Sequence, residues 1–382
     1  MRSLDWITPS LVAGSFRSLV GKAAGGSFSQ LRPDLLNCEV AGPFPQISDE
    51  LYFPAPCDVV AREDESDDKH LYALRPEVTK PEGVLSSDWG CDLETGIAPA
   101  LLPPGTSPDF SPAEVPAFWA SRQMENWLAN PNGDSFAGFP RQHWPASFRA
   151  VPSRDDRTHV KIDPTKRAAE DAHLFSTSGM DLDGFLRLDR TEDREMDGLS
   201  IRVRPTESLK TFSSPETWSP IGGERRIIMW SAENAGSPDV WQCPRSIQSA
   251  LNSLQSDSRL IRMVLATPAV FSNGWKPGWL SESEIIGTPP RAKNLKLQLI
   301  SACVPRWQPI SGWEYRRADG SPPGPKKARR MAPAGSVYFF RVADGDPFEL
   351  TSLWLESICD DEQDRLDGFG LALWGVWAPH SI

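Results

Sequence analysis

Near its C-terminus the chain reads Gly368-Phe369-Gly370-Leu371-Ala372-Leu373-Trp374-Gly375-Val376-Trp377, the stretch that most narrows what it can fold into. Two glycines one residue apart let backbone N–H groups face outward with no Cβ in the way, and the apolar run behind them reads as a buried strand. A dinucleotide-binding turn needs the spacing G-x-G-x-x-G and then a crossover helix. Here Gly375 comes five residues after Gly370, and the seven residues after Gly375 leave no room for that helix. The stretch is therefore either a cradle of backbone donors in front of a core strand or a tight turn before one.

At 382 residues, and roughly 150 residues per domain, the chain divides naturally in two, each part able to form its own core. We place these parts at 1–230 and 231–382. The 36 prolines favour extended, loop-rich segments, above all over 76–112. A net charge of −11 means that any nucleic-acid contact rests on a local basic patch and not on the overall field. The six cysteines form no C-x-x-C pair, and neither a signal peptide nor an apolar run of membrane-spanning length is present. Reduced thiols in a soluble cytoplasmic protein, with no membrane contact, are the expectation.

Thr8-Pro9-Ser10 is a helix start, and Leu11, Val12, Ser15, Phe16, Leu19 and Val20 fall on one face of the helix that follows. Strands are expected over 35–44 and 51–61, and an amphipathic helix over 114–129 with Trp119, Met124 and Trp127 on or near its buried side. Residues 157–163 alternate like one arm of a hairpin whose return begins at Leu174. Apolar and basic residues alternate over 184–190 and 199–204, predicting strands with one basic face that includes Arg187 and Arg190. Further on, the pattern predicts a helix over 247–254, strands over 260–267, 295–304 and 333–341, and a helix over 347–358.

Positive charge concentrates in two places. Gly222 and Gly223 permit close backbone approach, while Arg225 and Arg226 offer forked donors suited to phosphate. The same stretch also reads as a turn closing the first domain around an internal Glu–Arg pair. Lys326, Lys327, Arg329 and Arg330 form the densest basic run, either a phosphate site or a solvated loop.

Several stretches resemble one family. Pro9-Ser10, Ala13-Gly14 and Arg17 match the "P-S-x-x-A-G-x-x-R" pattern of CRISPR RAMP proteins. Leu51 to Asp58, the hairpin Arg157-Thr158-His159-Val160-Lys161-Ile162-Asp163 with Leu174-Phe175-Ser176, Gly222-Gly223-Glu224, Phe271 to Trp279 and Pro333 to Phe339 are similar to the third subunits of type III-B (Cmr) CRISPR effector complexes. The resemblance implies an α+β fold of two ferredoxin-like (RRM-like) units with long proline-rich loops and a β-hairpin insertion. The first strand of the first unit has no room ahead of residue 8, so either the start is placed too late or a partner completes the sheet.

The resemblance further implies a non-catalytic subunit that holds the 5′ repeat-derived tag of the guide RNA (crRNA), docked on the large cyclase/polymerase-like subunit and an adjacent RAMP backbone subunit. The glycine loop (Gly368, Gly370, Gly375), Arg17 and the hairpin residues His159 and Lys161 would then lie on the RNA side. The five histidines (His70, His143, His159, His173, His380) form no H-E-x-x-H motif and no Cys/His grouping at metal spacing, so no cofactor is expected. His159 is the one candidate general base, for attack by a ribose 2′-OH, and only Lys161 stands nearby to assist. A guide-processing endoribonuclease centred on His159 and a purely structural adaptor are the alternatives.

Overall fold

The computed structural model describes residues 6–24, 28–47, 49–63, 68–77, 97–106, 112–130, 135–140, 146–186, 197–209, 216–222, 226–232, 239–254, 259–314, 322 and 324–380. Pro9 begins helix α1 (Pro9–Ala23), where its fixed φ suits a first turn and its missing N–H costs nothing. Val12, Ala13, Phe16 and Leu19 are buried, whereas Leu11, expected on that face, is exposed. Residues expected to open the first strand belong instead to α2 (Phe28–Asn37), and its internal Pro33 hides the helical signal from a propensity reading.

β1 (Glu39–Ile47) and β2 (Glu50–Pro54) are followed by β3 (Phe118–Ala120) and α3 (Ser121–Ala129). The helix expected over 114–129 starts late, because Pro116 precedes a segment whose Trp119 pairs with Phe53 of β2 and Phe148 of β4 (Phe148–Arg149). β5 (Arg154–Asp163) and β6 (Ala168–Met180) form a long hairpin. A short helix, α4 (Leu182–Leu186), then replaces the strand expected from residue 184, since the Asp181 carboxylate accepts a hydrogen bond from Gly184 N–H at 2.9 Å and caps it. β7 (Gly198–Arg204) closes an antiparallel sheet of order β4-β3-β2-β1-β7. A second hairpin, β8 (Thr217–Ile221) with β9 (Arg226–Trp230), packs on α1, where Phe16 meets Trp230 edge-on at 5.6 Å.

Beyond α5 (Arg245–Asn252) come β10 (Leu260–Leu265), β11 (Lys296–Cys303), β12 (Val337–Asp344) and β13 (Leu371–Val376). They lie in the order β11-β12-β10-β13, all antiparallel, with the two-residue strands Ile286–Gly287 and Glu356–Ser357 at the edges. The helix expected over 347–358 is a 3-10 turn, Pro347–Leu353, that stops at Trp354. Leu355 then takes φ +54° so that Glu356 and Ser357 can pair with β13. The acidic turn after it holds α6 (Glu362–Leu366), capped by Asp361, which accepts from Gln363 and Asp364 N–H at 2.8 and 3.2 Å.

One buried apolar cluster runs from Phe44 and Phe53 through Trp119 and Trp127 to Trp374 and Trp377, so the two halves expected from chain length share a core. Every side chain of β10 and β13 is buried, as the unbroken apolar run of β13 requires of a strand covered on both faces, and in β10 the one charge, Arg262, is buried with the apolar residues around it. Among the described residues, no helix is long and apolar enough to cross a membrane.

Candidate nucleic-acid interface

The glycine loop between α6 and β13 is bonded inward. Gly368 N–H donates to the Arg365 carbonyl at 3.2 Å, Phe369 N–H to Asp364 at 3.0 Å and Gly370 N–H to Pro268 at 2.8 Å. The Thr267 hydroxyl donates to the Gly368 carbonyl at 2.8 Å. All three loop donors therefore have internal partners, and the outward cradle expected from G-x-G is not formed. Glycine is needed for close packing instead. A Cβ at Gly368 would lie 2.5 Å from the Val40 carbonyl, at Gly370 2.6 Å from Cys359 Sγ, and at Gly375 2.5 Å from the Leu128 carbonyl of α3. Gly368 and Gly370 also have φ of +85° and +67°.

Arg17 is likewise an internal brace and not a surface contact. Its guanidinium donates to the Cys38 carbonyl at 3.2 and 2.8 Å and to Leu366 at 2.9 Å, and it pairs with Asp367. It thereby ties α1 to β1 and to the end of α6. The basic face expected on β7 is also absorbed: Arg202 and Arg204, with Arg291, meet the carboxylates of Glu39 and Glu356 across the two sheets. Burial alone would raise the Glu356 pKa, but a hydrogen bond from Arg204 and the charges of Arg202, Arg204 and Arg291 outweigh it and hold the carboxyl below its ordinary value.

The long hairpin stays in solvent. Directly paired residues share a face, so Arg157 with Thr177 and His159 with Phe175 lie on one side, and Val160 with Leu174 on the other. His159 Nε2 is 2.9 Å from Thr177 Oγ1, and its ring stacks on Phe175 with centroids 5.2 Å apart. Lys161 pairs with Glu170 at 2.7 Å. Leu174 and Phe175 are 72% and 53% exposed, an unusual state for such residues. At the base, Arg226 pairs with Asp155 at 3.1 Å and packs against Gly179. A hydrogen bond from Arg157, reinforced by Arg226, holds the Asp155 carboxyl below its ordinary range. Gly222 turns the neighbouring hairpin with φ +72°. Gly223, Arg225, Arg187 and Arg190 lie outside the described residues.

Within the basic run, Arg329 makes two bonds to the Asp364 carboxylate, at 2.6 and 2.7 Å. Arg330 sits over the Trp307 ring at 4.9 Å, and Lys326 and Lys327 are exposed. The structure thus brings together His159, Lys161 and Arg226 at one hairpin system, and Lys326, Lys327 and Arg330 at another surface. Arg17 and the three glycines belong to neither.

Sequence reasoning missed Asp58. Its carboxylate is fully buried between Arg75 at 3.3 Å, Arg262 at 2.9 Å and the Trp127 indole N–H at 3.2 Å. Both guanidinium groups lie over the Trp127 ring, at 5.3 and 4.9 Å. Burial pushes the Arg262 pKa down to about 10 despite the facing Asp58. The only local signal was an acid closing an otherwise apolar phrase, Leu51 to Asp58. Among the described residues no group of three or more His, Cys, Asp or Glu is placed to hold a metal ion, and the described cysteines are free.

The family model described as CRISPR-associated protein (Cas_Cmr3) matches residues 4–377. No curated protein matches the chain. Among solved structures, a chain of a type III-B Cmr-beta complex bound to cognate target RNA and AMPPnP is 12% identical, with 88% of this chain and 78% of that chain covered and a TM-score of 0.39. A chain of the same kind of complex bound to cognate target RNA is 13% identical, with 88% and 77% covered and a TM-score of 0.37.

Proposed function

Since a match over residues 4–377 makes this chain a member of the Cas_Cmr3 family of CRISPR-associated proteins, we propose that it is a non-catalytic guide-RNA-binding subunit of a type III-B (Cmr) effector complex. In this reading it holds the 5′ repeat-derived tag of the guide and docks on the large cyclase/polymerase-like subunit, beside a RAMP backbone subunit. The observation that carries the reading is that the family match spans nearly the whole chain, hairpin included. The geometry adds support. A ribbon presenting Arg157, His159, Lys161 and Phe175 on or beside one face combines cations with rings on which bases stack. The order of β10 to β13, second-third-first-fourth, is that of a ferredoxin-like unit, with the helical segment 347–366 between its third and fourth strands.

His159 is read as an RNA-contacting or packing residue and not as a base. Among the described residues its hydrogen-bonding and stacking neighbours are the Thr177 hydroxyl and the Phe175 ring, and neither supplies the second acid–base group that 2′-OH attack requires. The test is to titrate the protein with guides that carry or lack the 5′ tag, and to incubate it with repeat RNA without metal. Tag-dependent binding of uncleaved RNA is expected. Metal-free cleavage abolished by His159→Ala would establish the endoribonuclease instead, and absence of guide binding the adaptor.

A further inference from the structure

A cleft remains on the C-terminal half, away from both hairpins. It has a volume of about 510 Å³ and is lined by Trp275, Val304, Arg306, Trp307, Arg330 and Met331, among others. That size lies within the roughly 300–1,000 Å³ of small-molecule sites. Its walls are fixed before anything binds. The strand Arg329–Met331 is paired with Gln308–Ile310, and Met331 at the floor is fully buried. Trp275 lies parallel to Tyr338, whose hydroxyl donates to the Trp275 carbonyl at 2.6 Å. Yet Trp307, at the mouth, is 46% exposed. A cation–π contact from Arg330 holds it there, in place of burial.

The chemistry of the rim names the occupant. Arg306 and Arg330 border the cleft, and Lys326 and Lys327 continue the charge beside Trp313, which is 55% exposed. In a chain of net charge −11 this is a local concentration of cations around flat rings. An apolar partner has no use for the cations, and a purely anionic one has no use for the tryptophans. Unpaired nucleobases joined by phosphates use both. We infer that this cleft takes one splayed-out base of a single-stranded RNA, stacked on Trp307, while Arg306 and Arg330 neutralise the flanking phosphates. The inference rests on the guide-binding reading and adds a second contact to it, separate from the hairpin.

The test uses the full chain, alone and in its assembled complex. Single-stranded RNA octamers carry 2-aminopurine at successive positions, and stacking quenches the fluorescence of the inserted base. Wild type is expected to quench one position most strongly. Trp307→Ala should remove that quenching and weaken binding by about 5- to 150-fold, the range that single-base stacking supplies. Trp307→Phe should restore most of it. Arg306→Gln should leave the quenching and lower the log–log salt slope by about 0.7. An abasic octamer should bind wild type and Trp307→Ala alike. If wild type binds the octamers and Trp307→Ala matches it in affinity and quenching, the base site is overturned while guide binding stands. If Trp307→Ala keeps RNA affinity but loses its place in the complex, the cleft docks a protein and the inference again fails. If wild type binds neither octamers nor tagged guides, the guide-binding reading falls and takes this site with it.

Discussion

At the scale of single residues, charge placed inside the molecule matters more than charge on its surface. Asp58 faces both Arg75 and Arg262, and all three side chains are buried from solvent. Breaking such a cluster leaves uncompensated buried charge, so Asp58→Ala should lower stability by about 3–5 kcal/mol in denaturant titrations. A loss under 1 kcal/mol would mean that the two guanidinium groups are not relying on it. Gly370 carries a different kind of constraint. With φ of +67° and Cys359 Sγ 2.6 Å from any added Cβ, Gly370→Val should destabilise the fold by about 1–3 kcal/mol or more. Tag affinity measured on the folded fraction should be unchanged. An RNA defect without a stability defect would restore the glycine loop as a phosphate cradle.

At the scale of elements, the two hairpins and the interlocked sheets behave differently. The long hairpin is exposed along most of its length and tied at its base by Arg226 to Asp155. Replacing residues 157–177 by a two-residue turn should shift the melting temperature by no more than about 2 °C, in line with surface changes. Affinity for tagged guide should fall at least about tenfold if the ribbon contacts RNA through rings and cations. The contact between β7, β1 and the strand Glu356–Ser357 is electrostatic, and its pH dependence has a definite sign. The Glu356 carboxyl is held below its ordinary value in the folded protein, so its contribution is complete at neutral pH and is lost as pH falls through the folded pKa, below about 4.5. Glu356→Gln should be less stable than wild type at pH 7, and the difference should shrink as pH falls below about 4.5. Parallel stability curves across that range would contradict the pairing.

At the scale of the whole molecule, the core joins what chain length divides. Leu128 of α3 lies against Gly375 of β13, and Arg262 of β10 reaches Asp58, so fragments 1–230 and 231–382 should each fail to melt cooperatively and should fold on mixing. Two independently cooperative fragments would show that the shared cluster is dispensable. What the sequence determined by itself is what local pattern can carry: α1 from Thr8-Pro9, the alternating hairpin around His159, and the buried strands at 260–265 and 371–376 from apolar runs that only Arg262 interrupts. The family was legible too, because it is written in short motifs spread from Pro9 to Phe339. What only the tertiary structure decided is where donors and charges end up. Gly368 and Gly370 read as an open cradle until Pro268, Arg365 and Asp364 are seen to accept their loop's N–H groups. Arg17 reads as an RNA contact, and Arg202 and Arg204 as one basic face of a strand, until Asp367, Glu39 and Glu356, up to 350 positions away, are brought against them. A motif specifies which groups can bond; the long-range packing of the core decides whether their partner is another part of this chain or something outside it.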